Sequence, residues 1–430
     1  LLSSFLASGE ASASYGISAT DVPSERDDID LDVFTLSRDL KFLAIGAAAS
    51  VGIVAFLTSQ YRGNIHQPCR IIDSPLSLIQ KSLTDEQQKR LPYAPDALEG
   101  ARDVATPFGS IRVYEWGPAE GKKVLLVHGI STPCIALGGL AEELAQKGCR
   151  VMLFDLFGRG FSSTPDPASQ PQDIQLFTTQ ILLVLSSSPL SWTGDGNRFA
   201  LIGYSLGGGI AASFTSYFPN IVESLVLIAP AGLMRSTRIH WTSKFLYGGF
   251  LPRKLVEYLV WRRLGGIDAS SSASQNAAND ENKTTPIQAA EQETPSHPAL
   301  APDSSAQISA RRPSVSIANV VAWQLHHHAG FVSSFVSSIQ HAPISAQHDI
   351  WRRIASCQNS VIPSTQRLLE GKVLLLLAKD DNVVIADEMS QDAQSALGSD
   401  AVDIRVMDGG HELPVTDAEL VAQTILDFWN

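Results

Sequence analysis

From residue 101 onward, uninterrupted apolar runs alternate with stretches whose apolar positions recur every three or four residues. The runs "KVLLVHG" (123–129), "RVMLFDLFG" (150–158), "RFALIG" (198–203), "VESLVLIAP" (222–230) and "KVLLLLA" (372–378) predict strands buried on both faces. Between and after them, "LGGLAEELAQKG", "DIQLFTTQILLVLSS", "LGGGIAASFTSYFP", "VIADEMSQDAQSALG" and "DAELVAQTILDFW" predict helices, the first of them ended by Gly148. A further strand is expected in "AVDIRVMDGG", and "ARDVATPFGSIRVYEWG" predicts a hairpin turning near Gly109. Alternation of this kind specifies a parallel sheet with helices on both sides.

The rhythm breaks between 231 and 362, which predicts an inserted helical cap. Its flanks, "HWTSKFLYGGFLPRKLVEYLVWRRL" and "ANVVAWQLHHHAGFVSSFVSSIQ", are helix-like and aromatic. No aromatic residue stands between Trp261 and Trp323, and the low-complexity stretch 266–318 is expected to be a disordered loop, because it has too little to bury to offset its chain entropy. The sheet-forming core thus falls into two parts, 101–230 and 363–430.

Ahead of that core the pattern is different. Residues 1–39 are polar, Ser-rich and then acidic, and are expected to be disordered. Residues 40–61 carry an uncharged apolar run from Phe42 to Leu57. As a helix, Leu40 to Thr58 would reach about 29 Å, enough to cross a bilayer once. A single-pass membrane anchor is therefore expected. Its orientation is open, since Arg26, Arg38 and Lys41 before it nearly balance Arg62 and Arg70 after it. Residues 62–100 are read as a linker. The chain opens on Leu1 rather than Met, which implies residues ahead of it.

Composition narrows the classes. The chain has 430 residues with a formal charge of −12, which argues against a nucleic-acid partner. Four cysteines (Cys69, Cys134, Cys149, Cys357) lie far apart without metal-ligand spacing and read as ordinary thiols. Basic and aromatic residues interleave in the first cap flank, where Lys244, Arg253, Lys254, Arg262 and Arg263 sit among Trp241, Phe245, Phe250, Tyr258 and Trp261. Such a segment can line an apolar pocket or lie on an anionic lipid surface.

The chemistry starts at "LIGYSLGGG". A Gly-x-Ser-x-Gly sequence between a buried strand and a helix is the signature of a nucleophile elbow, in which a tight turn lifts the Ser205 hydroxyl above the sheet. Serine needs a base to take its proton. His411, in "MDGGHELP" after the last strand, is placed on a loop that can reach the sheet edge. The base needs an orienting acid, and "LLLLAKDDNVV" offers Asp380 and Asp381. Asp381 is preferred, because the "NVV" after it resumes an apolar pattern that anchors the loop. Past the first central strand, "LLVHGIST" leaves the backbone free to turn, so the amides of Ile130 and Leu206 are the expected oxyanion donors. His128 is read as bracing that loop, Asp155 as bracing the turn after its strand, and His326, His327 and His328 as surface or cap-lining residues rather than metal ligands.

The order Ser205, Asp381, His411 with the HG loop upstream resembles the α/β-hydrolase superfamily. The stretches "LLVHGIST", "LFDLFGRGFSSTP", "LIGYSLGGG", "LLAKDDNVV" and "DGGHELP" fall in the expected order over residues 101–430. The resemblance is to capped serine hydrolases such as monoacylglycerol lipases, carboxylesterases and carbon–carbon bond hydrolases. It implies an α/β-hydrolase fold and Ser-His-Asp acyl-enzyme chemistry on an ester, with an apolar or lipid substrate, no cofactor and no metal. Acyl transfer, carbon–carbon hydrolysis and a non-catalytic, membrane-tethered interaction role stay open as alternatives. The sequence names no protein partner.

Overall fold

In the central strands both faces of the chain are apolar, and both are covered. In the computed structural model, which describes residues 50, 70–194, 196–235, 241–265, 307–308, 314–359 and 368–430, eight strands form one sheet. They are β1 (Ala101–Thr106), β2 (Gly109–Trp116), β3 (Lys123–Val127), β4 (Arg150–Phe154), β5 (Phe199–Tyr204), β6 (Val222–Ile228), β7 (Val373–Ala378) and β8 (Val402–Met407). Their order across the sheet is β8-β7-β6-β5-β3-β4-β2-β1. β1 and β2 form the expected hairpin, with Thr106 opposite Gly109, and β2 runs antiparallel to β4. Every other pairing is parallel.

Helices α1 (Gly138–Gln146), α2 (Ile174–Ser186) and α3 (Leu206–Tyr217) follow β3, β4 and β5 in turn. Between β6 and β7 lie α4 (Trp241–Tyr247), α5 (Arg253–Gly265), α6 (Ile317–His327), α7 (Phe331–His341) and α8 (His348–Asn359). α9 (Ala386–Leu397) and α10 (Ala418–Trp429) follow β7 and β8. α10 packs on α1, whereas α8 packs on α3 and α9. Every residue of β5 and β7 is buried. Each large apolar side chain removed from water there contributes about 1.5–3 kcal/mol.

Three boundaries read from the sequence move. Residues 70–100 are no linker: Ile71–Ile72 pair with Thr164–Pro165, and Leu76, Ile79, Tyr93, Ala94 and Leu98 are buried in the core. Leu76, Ile79 and Leu83 fall at helical spacing on a short helix, Leu76–Ser82, and its C-cap, a run too brief to stand out as an element in the sequence. The predicted cap, 231–362, overreaches at its far end, because α8 belongs to the layer over the sheet and buries Trp351 and Ile354. The loop predicted over 266–318 lies outside the described residues except near its end. There Gln307 bridges Ser316, Ile308 is buried, and Ser316 caps α6.

The chain divides into two units, 1–65 and 66–430, and the sheet and its helices belong to the second. The expected disordered segment 1–39 and, apart from Ser50, the expected membrane helix 40–61 lie outside the described residues. Among the described residues no helix is long and apolar enough to cross a membrane.

Candidate active site

Ser205 ends β5 and caps α3 with φ 52° and ψ −120°, a left-handed conformation that side chains rarely adopt. The strain is held by hydrogen bonds on both sides. The Ser205 amide donates to the Ile228 carbonyl at 3.0 Å, and its carbonyl accepts from the amides of Gly208 and Ala231, both at 2.8 Å. The flanking glycines are needed for close approach. A Cβ on Gly207 would stand 2.1 Å from the Val127 carbonyl oxygen, and one on Gly203 would stand 2.3 Å from the Gly207 oxygen. The elbow therefore presses against the end of β3, which brings the loop 129–132 over the serine.

The structure brings Ser205, His411 and Asp381 together from positions far apart in the chain. His411 Nε2 lies 3.0 Å from Ser205 Oγ, and His411 Nδ1 lies 2.8 Å from Asp381 Oδ2. With Nδ1–H donating its hydrogen bond to the carboxylate, Nε2 is left to accept from the serine hydroxyl. Asp381 is 4% exposed, and its other oxygen accepts from the amides of Val383 and Val384 at 2.7 and 2.8 Å. That is how the "NVV" stretch anchors the carboxylate. Asp380 is exposed, and its amide donates to the Gly409 carbonyl, which ties the turn after β7 to the loop that carries His411. The Tyr204 ring lies 5.4 Å from the His411 ring.

Ile130 and Leu206 line the same cavity as Ser205 and His411, together with Met234, Ile317 and Ile344. Leu206 is the first residue of α3, so its amide has no acceptor within the helix. His128 braces the Ile130 side. Its Nε2 accepts from the Leu156 amide at 2.8 Å, so Nδ1 carries the proton and donates to the Gly129 carbonyl, also at 2.8 Å. In a trans peptide the N–H points opposite the C=O, so this bond sets the direction of the Ile130 N–H. Burial, then the nearby Arg159 charge, push the His128 imidazole down to about 3, which keeps it neutral and this arrangement intact.

Asp155 also braces. Its carboxylate accepts from the amides of Cys134 at 2.9 Å and Phe161 at 2.8 Å and from the Tyr93 hydroxyl. The three adjacent histidines part company: His326 and His327 are exposed, but His328 is buried, with Nε2 2.9 Å from the Ser162 carbonyl. Among the described residues no group of His, Cys, Asp and Glu is disposed to hold a metal ion.

Residues 124–424 match the sequence model of the Alpha/beta hydrolase family. The chain belongs to this family. A serine hydrolase-like protein of Danio rerio is 25% identical to this alpha/beta hydrolase over 329 residues, 76% of this chain and 86% of the relative. A serine hydrolase-like protein of Homo sapiens is 33% identical over 134 residues, 31% of this chain; the match spans 62% of that relative's own length. Among solved structures, the chain resembles a thermophilic esterase from Thermogutta terrifontis with 16% identity and a TM-score of 0.49, covering 76% of this chain and 97% of the esterase.

Sequence reasoning missed Arg159 and Gln324, which are buried beside the loop 129–132. Arg159 lies in the quoted "LFGRG" and Gln324 on a cap helix, and neither carries a local signal of its role.

Proposed function

We propose that this alpha/beta hydrolase is a serine ester hydrolase acting on carboxylic esters with apolar, lipid-like acyl groups. The observation that carries the reading is the unbroken hydrogen-bonded line from Ser205 Oγ through His411 to the buried Asp381. Ser205 Oγ attacks the ester carbonyl carbon while His411 Nε2 takes its proton. The resulting oxyanion is received by the amides of Ile130 and Leu206, each such donor lowering the barrier by about 3 kcal/mol. The tetrahedral species collapses, the carbon–oxygen bond to the alcohol breaks, and His411 returns the proton to the leaving oxygen. Water, deprotonated by the same imidazole, then attacks the acyl-enzyme and releases the acid and the free serine. Asp381 holds the imidazole tautomer and stabilises its cation.

The apolar acyl preference is supported by the lining of the cavity, where nine apolar side chains, Met234, Ile317, Ile344, Val383, Val384 and Val415 among them, stand against six polar ones. A location at a membrane surface is supported by α4 and α5 with their connecting turn. Trp241 is 70% and Phe250 74% exposed, Phe245, Tyr258 and Trp261 are also exposed, and Lys244, Lys254 and Arg262 lie open among them. The apolar run 42–57 would supply a tether to the same surface.

Hydrolysis of p-nitrophenyl esters of increasing acyl length by the full chain and by Ser205→Ala tests the reading. Turnover that depends on Ser205 and improves from acetyl to longer acyl chains is expected. No turnover across the panel, or turnover that survives in Ser205→Ala, would overturn it.

A further inference from the structure

The loop after β3 is held in an unusual way. Three carbonyls in succession, those of Gly129, Ile130 and Ser131, each accept a side-chain hydrogen bond, and each donor is a buried residue. His128 Nδ1 donates to the first at 2.8 Å, Arg159 Nε to the second at 3.0 Å, and Gln324 Nε2 to the third at 2.9 Å. The first two fix the peptide planes on either side of Ile130, and so fix its backbone angles. The third fixes the next plane along.

Two of these donors lead into the cap. Gln324 belongs to α6, and its Oε1 accepts from the Gly160 amide at 2.8 Å, so one side chain joins α6, the loop and the turn after β4. Arg159 belongs to that turn, and its remaining hydrogen bonds reach the Phe157 carbonyl and the hydroxyls of Ser334 and Ser338 on α7. Ser334 in turn donates to the Phe157 carbonyl at 3.0 Å. The Arg159 guanidinium is fully buried, and burial lowers its proton affinity. A buried cation bound only by neutral groups is costly to strand, so loss of its cap partners would force it, and the Ile130 carbonyl it holds, to rearrange.

We propose that Arg159 and Gln324 are positioning residues that make the Ile130 oxyanion donor depend on seating of α6 and α7. The cap then acts as the outer wall of the oxyanion site as well as the roof of the acyl pocket. Displacement of these two helices releases the loop and weakens catalysis at Ser205. This inference rests on the ester-hydrolase reading above.

The test uses the full chain and compares wild type with Gln324→Leu and with the double variant Ser334→Ala/Ser338→Ala. The second removes the Arg159 anchors on α7 while keeping the arginine. Readouts are kcat and KM on a p-nitrophenyl ester, the inhibition constant of a trifluoromethyl ketone, and the fraction of molecules labelled to completion by a fluorophosphonate. The ketone forms a tetrahedral adduct on the serine whose oxyanion needs the donors. In each variant kcat should fall about tenfold or more with KM little changed, because one loosened donor is worth up to about a hundredfold or more. Ketone affinity should fall by the same factor while the labelled fraction stays at the wild-type level. Unchanged kcat in both variants would overturn the proposal. So would a loss of activity matched by an equal loss of labelled molecules, which is what mere misfolding produces. Wild type that neither turns over nor labels would sink the ester-hydrolase reading and this inference together, whereas an active wild type with indifferent variants sinks this inference alone.

Discussion

Gly207 sits where the N-terminus of α3 meets the end of β3, with no room for a methyl group: the Val127 carbonyl oxygen would be 2.1 Å from it. Backbone cannot yield as a flexible side chain can, so Gly207→Ala should prevent the elbow from forming. The expected outcome is loss of both ester turnover and soluble folded protein, checked by circular dichroism and gel filtration. Asp381→Asn behaves differently. The amides of Val383 and Val384 can still bond the remaining carbonyl oxygen, so the fold should stand, while the imidazole loses its orienting acceptor. A fall in kcat of about 10⁴-fold with little change in melting temperature is expected from steady-state kinetics and thermal unfolding. These residues were legible because their signals are local. Gly203, Ser205 and Gly207 lie within five consecutive residues, and Asp381 and His411 each stand within three residues of the end of a predicted strand. Arg159 and Gln324 were not legible. Their partners are more than a hundred residues away in places, as with Arg159 and Ser338 or Gln324 and Ser131, and no spacing rule encodes such contacts.

The helices between β6 and β7 divide by what they touch. α8 is part of the layer against α3 and α9, whereas α6 and α7 are bound to the turn after β4 by buried polar groups. His328 is one of these ties. Its Nε2–H donates to the Ser162 carbonyl, its Nδ1 accepts from the Gly330 amide, and burial pushes its imidazole down to about 4. The unfolded imidazole titrates near about 6.5. Stability from His328, and from the similarly buried His128, is therefore fully present above that value and falls as the pH drops toward about 4 and about 3, because the unfolded chain binds protons that the folded chain excludes. Each group contributes a slope of about 1.4 kcal/mol per pH unit in that window. Urea unfolding between pH 7 and 4.5 should show the fall, and His328→Gln should remove one group's share of the slope. A slope unchanged by that substitution would mean the ring is already protonated or exposed. The sequence marked the stretches of α4 to α7 as helix-like and the whole of 231–362 as cap, and so did not separate α8 as part of a core layer, since cap and core helices both present one apolar face.

At the scale of the molecule, charge is unevenly spread. The chain carries a formal −12, yet α4, α5 and their turn gather Lys244, Arg253, Lys254, Arg262 and Arg263 against the single acid Glu257. Arg253 is paired with Glu257 and Asp166, while Lys244, Lys254 and Arg262 are exposed among the exposed aromatics. A bilayer with anionic headgroups would satisfy both features, taking the rings into its interface and the cations at its surface. Sedimentation with vesicles should show the chain binding anionic vesicles more tightly than neutral ones, with the difference shrinking as salt rises. Lys254→Glu together with Arg262→Glu should reduce that preference without altering hydrolysis of a soluble ester. Equal binding to both vesicle types at low salt would remove the electrostatic part of this reading. A parallel sheet covered on both sides followed from alternating strands and helices, whereas the structure of residues 70–100 did not, because their helices are short and their one strand, Ile71–Ile72, pairs with the distant Thr164–Pro165.

The proposed chemistry requires Ser205 to be a nucleophile that His411 activates. Intact-protein mass spectrometry after brief exposure to a fluorophosphonate tests this most directly. Wild type should gain one adduct, located on Ser205 by peptide mapping, with none on Ser205→Ala and much slower reaction in His411→Ala. A folded wild type that stays unmodified, or an adduct that forms equally in Ser205→Ala, would contradict it.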